Sequence, residues 1–192
     1  MKSRQAAFTL VELLIVVAII GLLLGLVTPA ASNMQAGLQL NQNGQGIIDK
    51  LSLCRQLATT QNRDVELRFI DIPTSETDTG GQAFQIWLLN PRGGTAEAYG
   101  KIVRLPEEIK LNDDLSPMWT KLPSGTADFT ALGGDRTYRA IRFRSNGRLA
   151  RNDMGSDNYL TYSFRRDREA VPGNYYTLQI NPVTGWVTTY RP

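Results

Sequence analysis

The sequence predicts an α+β fold in which one long N-terminal helix is packed on an antiparallel β-sheet domain, the first half of the helix spanning a membrane. Three observations predict it. An apolar run from Phe8 to Val27 is broken by a single charge, Glu12. Behind it, Ile47, Ile48, Leu51, Cys54, Leu57 and Ala58 recur at helical spacing. Everything after residue 60 reads as strands and turns, the pattern of an α+β domain.

The apolar run is about 20 residues, the length a helix needs to cross a bilayer core. Lys2 and Arg4 precede it, and no Lys or Arg follows until Lys50. That asymmetry places the short N-terminus in the cytoplasm and the remainder outside. Pro29 lacks a backbone donor and is expected to kink or open the helix. The amphipathic stretch beyond it continues the helix, loosened in its middle by Gly44 and Gly46. Four segments follow: 1–7 as a leader, 8–29 as the membrane helix, 30–60 as its amphipathic continuation and 61–192 as the sheet domain.

Strict alternation in Val65-Glu66-Leu67-Arg68-Phe69 predicts a strand with one apolar and one charged face. Phe84 to Leu89 and Tyr99 to Leu105 are further candidates. In Arg139 to Arg144, Ile141 and Phe143 are expected inward, Arg142 and Arg144 outward, with Ser145-Asn146-Gly147 as a turn. Tyr159 to Phe164 alternates again. Tyr175 to Ile180 and Trp186 to Tyr190 flank Asn181-Pro182-Val183-Thr184-Gly185, a hairpin turn rich in turn formers. Segments 71–82, 90–96, 123–136 and 150–158 read as surface loops.

Composition narrows the chemistry. The 192 residues contain no His and one Cys. The usual general base is missing and a His/Cys zinc site is out of reach. Cys54 is read as a small buried apolar residue. Adjacent acids such as Glu107-Glu108 and Asp113-Asp114 point to opposite faces of a strand and make poor carboxylate pairs. The oxygen-rich loop at Asn152, Asp153, Asp157 and Asn158 matches no calcium spacing. No catalytic constellation, metal site or cofactor is expected. The net charge of +3 is modest, but arginines concentrate between Arg136 and Arg191. Arg142, Arg144, Arg148 and Arg165 are the candidates for a basic strip that would follow a nucleic-acid backbone.

Glu12 bears on what the apolar run is for. A mid-membrane carboxylate costs roughly 2.5–3.5 kcal/mol on an insertion scale. A plain signal anchor gains nothing from it, and neither does a secretory signal peptide cleaved near Thr28-Pro29-Ala30-Ala31. Ala7-Phe8-Thr9-Leu10-Val11-Glu12 resembles the processing motif of type IV pilins and type II secretion pseudopilins. The resemblance implies cleavage by prepilin peptidase between Ala7 and Phe8, N-methylation of Phe8, and retention of the helix in the mature chain. Glu12 then stands where the family keeps its glutamate and Pro29 where many members kink. Ala7 departs from the usual Gly before the cut.

Further matches are looser. Ile141 to Gly147, the hairpin Leu178 to Thr188, and Leu53 to Ala58 with Asn62 to Val65 resemble the GspH/FimT-type pseudopilin domain. Arg55-Gln56 and Tyr190-Arg191-Pro192 are similar to the Verru_Chthon cassette protein D group. These resemblances imply a non-enzymatic minor pseudopilin in the bacterial inner membrane, its C-terminal domain periplasmic. Its implied partners are prepilin peptidase, other pilin or pseudopilin subunits and an inner-membrane assembly platform. In the assembled filament, Glu12 is expected to meet the new amine of a neighbouring subunit, an attraction strengthened by the low dielectric. A DNA-binding minor pilin, acting through the Arg-rich sheet face, is the alternative.

Overall fold

The computed structural model describes residues 9–72, 82–150, 157–167 and 169–192, with the side chains of 24–36 outside the description. A single helix, α1, runs Leu10–Thr60. The chain divides into two compact units, Met1–Gln39 and Leu40–Pro192.

In the first unit the described side chains from Leu10 to Leu23 are exposed on every face of α1. Apart from Glu12, the large side chains on that exposed surface are apolar. Among the described residues, no helix is long and apolar enough to cross a membrane. The run read as membrane-spanning extends into side chains outside the description. α1 is helical through Pro29, where the sequence predicted a kink or opening. A proline removes one main-chain bond, which does not by itself end a helix.

The second unit holds the core. Along α1, Leu40, Gly44, Ile47, Leu51, Cys54 and Ala58 form a buried seam with steps of three and four. Gly44 does more than loosen the helix. A Cβ built there would lie 2.3 Å from the Tyr176 ring, so the bare backbone is what lets that buried ring lie on the helix.

The strands form two antiparallel sheets where the sequence suggested one sheet domain. The five-stranded sheet has the order β3-β2-β1-β6-β5, with β1 Val65–Ile70, β2 Ala83–Leu88, β3 Glu97–Arg104, β5 Ser124–Phe129 and β6 Gly134–Phe143. The four-stranded sheet is β4-β7-β8-β9, with β4 Ile109–Leu111, β7 Tyr159–Phe164, β8 Tyr175–Ile180 and β9 Val187–Tyr190. A short helix, α2, Pro117–Lys121, opens on proline and buries Met118 and Trp119. Trp119 meets Phe69 edge-on at 5.9 Å, and Arg139 stacks over its other side at 5.2 Å.

Two expectations change here. Segment 123–136 is not a loop: it holds β5, a 3-10 turn at Thr130–Leu132 and the start of β6. Its polar, Gly-rich sequence hid an edge strand. β1 is buried on both faces, not one. It sits at the centre of its sheet, flanked by β2 and β6, and a second cluster of Ile70, Ala83 and Phe129 with Trp87 and Tyr138 covers the face assigned to charge. The loop residues 73–81 and 151–156 lie outside the described residues.

Candidate functional site

At the N-terminal end, Ala7 and Phe8 lie outside the described residues. Thr9 and Glu12 are described. Thr9 is the residue before the first turn of α1. Its amide donates to Glu12 Oε2 at 3.0 Å and its hydroxyl to the same oxygen at 2.8 Å. The Glu12 amide donates back to Thr9 Oγ1 at 3.3 Å. This is a reciprocal capping box, which satisfies helix-end donors that have no partner inside the helix. The Thr-x-x-Glu spacing is the sequence signature of such a cap. The side chain of Pro29 is outside the description.

The charged residues of β1 form a buried network that sequence reasoning also missed. Glu66 is 2% exposed and Arg68 6%. Glu66 Oε2 accepts from Arg68 Nε at 2.8 Å. Glu66 Oε1 accepts from Arg142 Nε at 2.9 Å and Nη2 at 2.6 Å. Arg68 is clamped between the rings of Trp87 and Tyr138, each 4.2 Å from its guanidinium carbon. The register explains the assembly: Glu66 lies opposite Trp87 on one side and Arg142 on the other. Buried charges persist when paired and hydrogen-bonded, and Arg is the cation that also stacks on aromatic faces. The usable signal was two aromatics, Trp87 and Tyr138, on the strands beside an alternating Glu-x-Arg.

The four candidate arginines sit on different elements. Arg142 is anchored to Glu66 with its side chain 41% exposed. Arg144 is exposed and donates from Nη2 to the Ala150 carbonyl at 3.0 Å. Arg148 is exposed in the turn that follows β6, its amide bonded to Asn146 Oδ1. Arg165 follows β7 of the other sheet, donating from Nε to the Glu107 carbonyl and from its amide to the Glu108 carbonyl. Arg142 and Arg144 instead line a pocket of about 460 Å³ with Asp64, Leu122, Pro123, Ala140, Ile141, Leu149 and Ala150.

Beside the end of α1, two turns lock together. Arg55 Nε donates to the Thr184 carbonyl at 2.8 Å, and its guanidinium lies 4.5 Å over the Trp186 ring. Asn181 Oδ1 accepts from the amides of Val183 and Thr184, which shapes the hairpin turn. Gly185 has φ +68, and a Cβ there would stand 2.3 Å from the Gly147 carbonyl oxygen. Both facts demand glycine.

Cys54 is fully buried, and burial pushes its thiol pKa up well beyond the ordinary thiol range. It is a packing residue. No cluster of metal-ligating side chains is present among the described residues.

Residues 2–28 match the model of the prokaryotic N-terminal methylation motif. The minor pseudopilin EpsH from the type 2 secretion system of Vibrio cholerae has the same fold. The match has a TM-score of 0.50 at 12% identity, covering 80% of this chain and 98% of that one. A second structure, a crystal structure of the same Vibrio cholerae minor pseudopilin, aligns at a TM-score of 0.46 and 13% identity, over 80% and 94%. The chain thus carries a prokaryotic N-terminal methylation motif on a pseudopilin-like fold. No curated protein sequence matches this chain.

Proposed function

We propose that the chain is a minor pseudopilin, a subunit of a type II secretion or type IV pilus-like filament. Prepilin peptidase cuts between Ala7 and Phe8, and Phe8 is methylated. The helix 8–29 then holds the subunit in the inner membrane, with the leader cytoplasmic and the sheet domain periplasmic. An inner-membrane platform adds it to other pseudopilins through the same helix. The carrying observation is the methylation motif over residues 2–28 on a chain with the pseudopilin fold.

The physical logic supports this reading. The exposed apolar surface from Leu10 to Leu23 has no use in water, but it can move from lipid into a helical bundle. Van der Waals packing then replaces lipid contacts, and Glu12 supplies a polar contact that selects register. Its partner in the filament is the methylated amine of a neighbouring Phe8.

Mass spectrometry of the membrane-extracted chain tests the proposal. The expected N-terminus is N-methylated Phe8. A chain beginning after Ala31, or one still carrying Met1 in the presence of prepilin peptidase, overturns it. A Glu12→Ala chain is expected to insert but to be poorly incorporated into filaments, read by shearing and sedimentation.

A further inference from the structure

The pocket beside β6 combines an apolar floor with two cations. Leu122, Ile141 and Leu149 supply the floor, and Arg142 and Arg144 the charge. Its volume of about 460 Å³ lies within the usual range for sites that take a few side chains. Arg142 is held by a carboxylate that is 2% exposed. Glu66 engages Nε and Nη2, fixing the guanidinium plane. A guanidinium carries five donors in a rigid fork, so the outer edge remains to meet an anion. A buried anchor of this kind removes much of the entropy cost of ordering a long side chain upon binding.

We infer that this pocket receives an acidic peptide segment from a neighbouring filament subunit, with a carboxylate on Arg142 and Arg144 and an adjoining apolar side chain on the floor. The inference rests on the reading of the chain as a filament subunit. Charge complementarity selects the occupant: the lining carries two guanidinium groups, Arg142 and Arg144, against one carboxylate. The one acid in its lining, Asp64, has Oδ1 turned to the Ser145 amide at 3.3 Å. A nucleic acid fits less well. A phosphate chain calls for cations spaced along a track, whereas Arg165 follows β7 of the other sheet and is bonded to the Glu107 carbonyl.

The test uses the full-length chain in detergent micelles and a fluorescein-labelled eight-residue peptide alternating Glu and Leu. Fluorescence anisotropy is read against empty micelles, against the matching Lys and Leu peptide, and against labelled single- and double-stranded 20-nucleotide DNA. The acidic peptide is expected to bind at least tenfold tighter than the basic one. Arg144→Gln is expected to weaken it at least threefold and Arg142→Gln at least tenfold. Ala150→Trp fills the pocket without removing a charge, keeping the main-chain carbonyl that accepts from Arg144, and is expected to abolish binding while the thermal midpoint stays unchanged. Equal affinity for acidic and basic peptides, unchanged binding in Ala150→Trp, or tighter binding of either DNA overturns the inference. N-terminal mass spectrometry on the same preparation separates the two failures. A methylated Phe8 with no acidic-peptide binding removes the docking site and leaves the filament reading intact.

Discussion

Replacing Glu66 by Ala should be among the most damaging single changes in the sheet domain. The substitution leaves Arg68, a side chain 7% exposed, without its carboxylate. Breaking a buried ion pair from one side costs about 3–5 kcal/mol, because the remaining charge stays buried and unpaired. Two effects moderate this. Arg142 is 41% exposed and can be rehydrated. The rings of Trp87 and Tyr138 continue to hold the Arg68 cation at 4.2 Å, and cation–π contacts of desolvated groups reach about 2 kcal/mol. The expected loss is therefore at the lower end, about 3 kcal/mol. For a chain of this size each kcal/mol moves the midpoint by roughly 2–4 °C, so the thermal midpoint should fall by roughly 6–12 °C. Urea unfolding followed by tryptophan fluorescence measures the free energy directly. The decisive comparison is the pair Glu66→Leu with Arg68→Met. Removing both charges is expected to cost less than Glu66→Ala alone, because no buried unpaired ion remains and the half-exposed Arg142 can be rehydrated. A loss below about 1 kcal/mol for Glu66→Ala, or a pair that costs more than the single change, refutes the account of a paired buried network.

Two further outcomes follow from the packing. Gly44→Ala drives a methyl into the Tyr176 ring, where the gap is 2.3 Å; the expected destabilisation is about 1–3 kcal/mol by urea unfolding, and Tyr176→Leu in the same chain should recover part of it. Cys54, held protonated by burial, should stay unreactive toward a maleimide in the native chain and react fully after unfolding. Its folded-state pKa lies above the unfolded value of about 8.5, so the stability it contributes is complete below that pH and declines as the pH rises past it. Cys54→Ala should flatten that alkaline decline in urea midpoints measured from pH 7 to 10.

How much was legible follows from which forces leave a mark in a single sequence. The buried seam of α1 and strands β1, β7 and β8 repeat at the helix or sheet period, and they stand where the pattern placed them. β5 carries Ser124-Gly125-Thr126-Ala127-Asp128-Phe129, an edge strand whose exposed residues need no apolar alternation. Its pairing to β6 supplies what its composition does not. β4 is too short for any period to register. The charged face of β1 misled for a related reason. Alternation reports that two faces differ in polarity; it does not report that either face meets water. Whether Glu66 and Arg68 are solvated depends on Trp87 and Tyr138, which are distant in sequence and adjacent only through the register. The placement of the candidate arginines was hidden for the same reason: Arg142 lies in β6, whereas Arg165 follows β7 of the other sheet.

Glu12 is the remaining point, and the capping box alters how its role has to be argued. A carboxylate read as awaiting only an amine is already engaged by the Thr9 amide and hydroxyl. Both bonds fall on Oε2, which leaves the direction of Oε1 for a second partner. Cleavage before Phe8 would place the new cationic end one residue ahead of that cap and keep Thr9 intact. The cap then acts as a brace: it fixes the carboxylate at the N-terminal rim of α1, where the helix dipole also favours negative charge. A braced anion loses less side-chain entropy when an amine arrives than a free glutamate would. Proposed assembly and local capping are on this account consecutive uses of one side chain. The spacing Thr-x-x-Glu prepares within a single subunit the group that the filament would need.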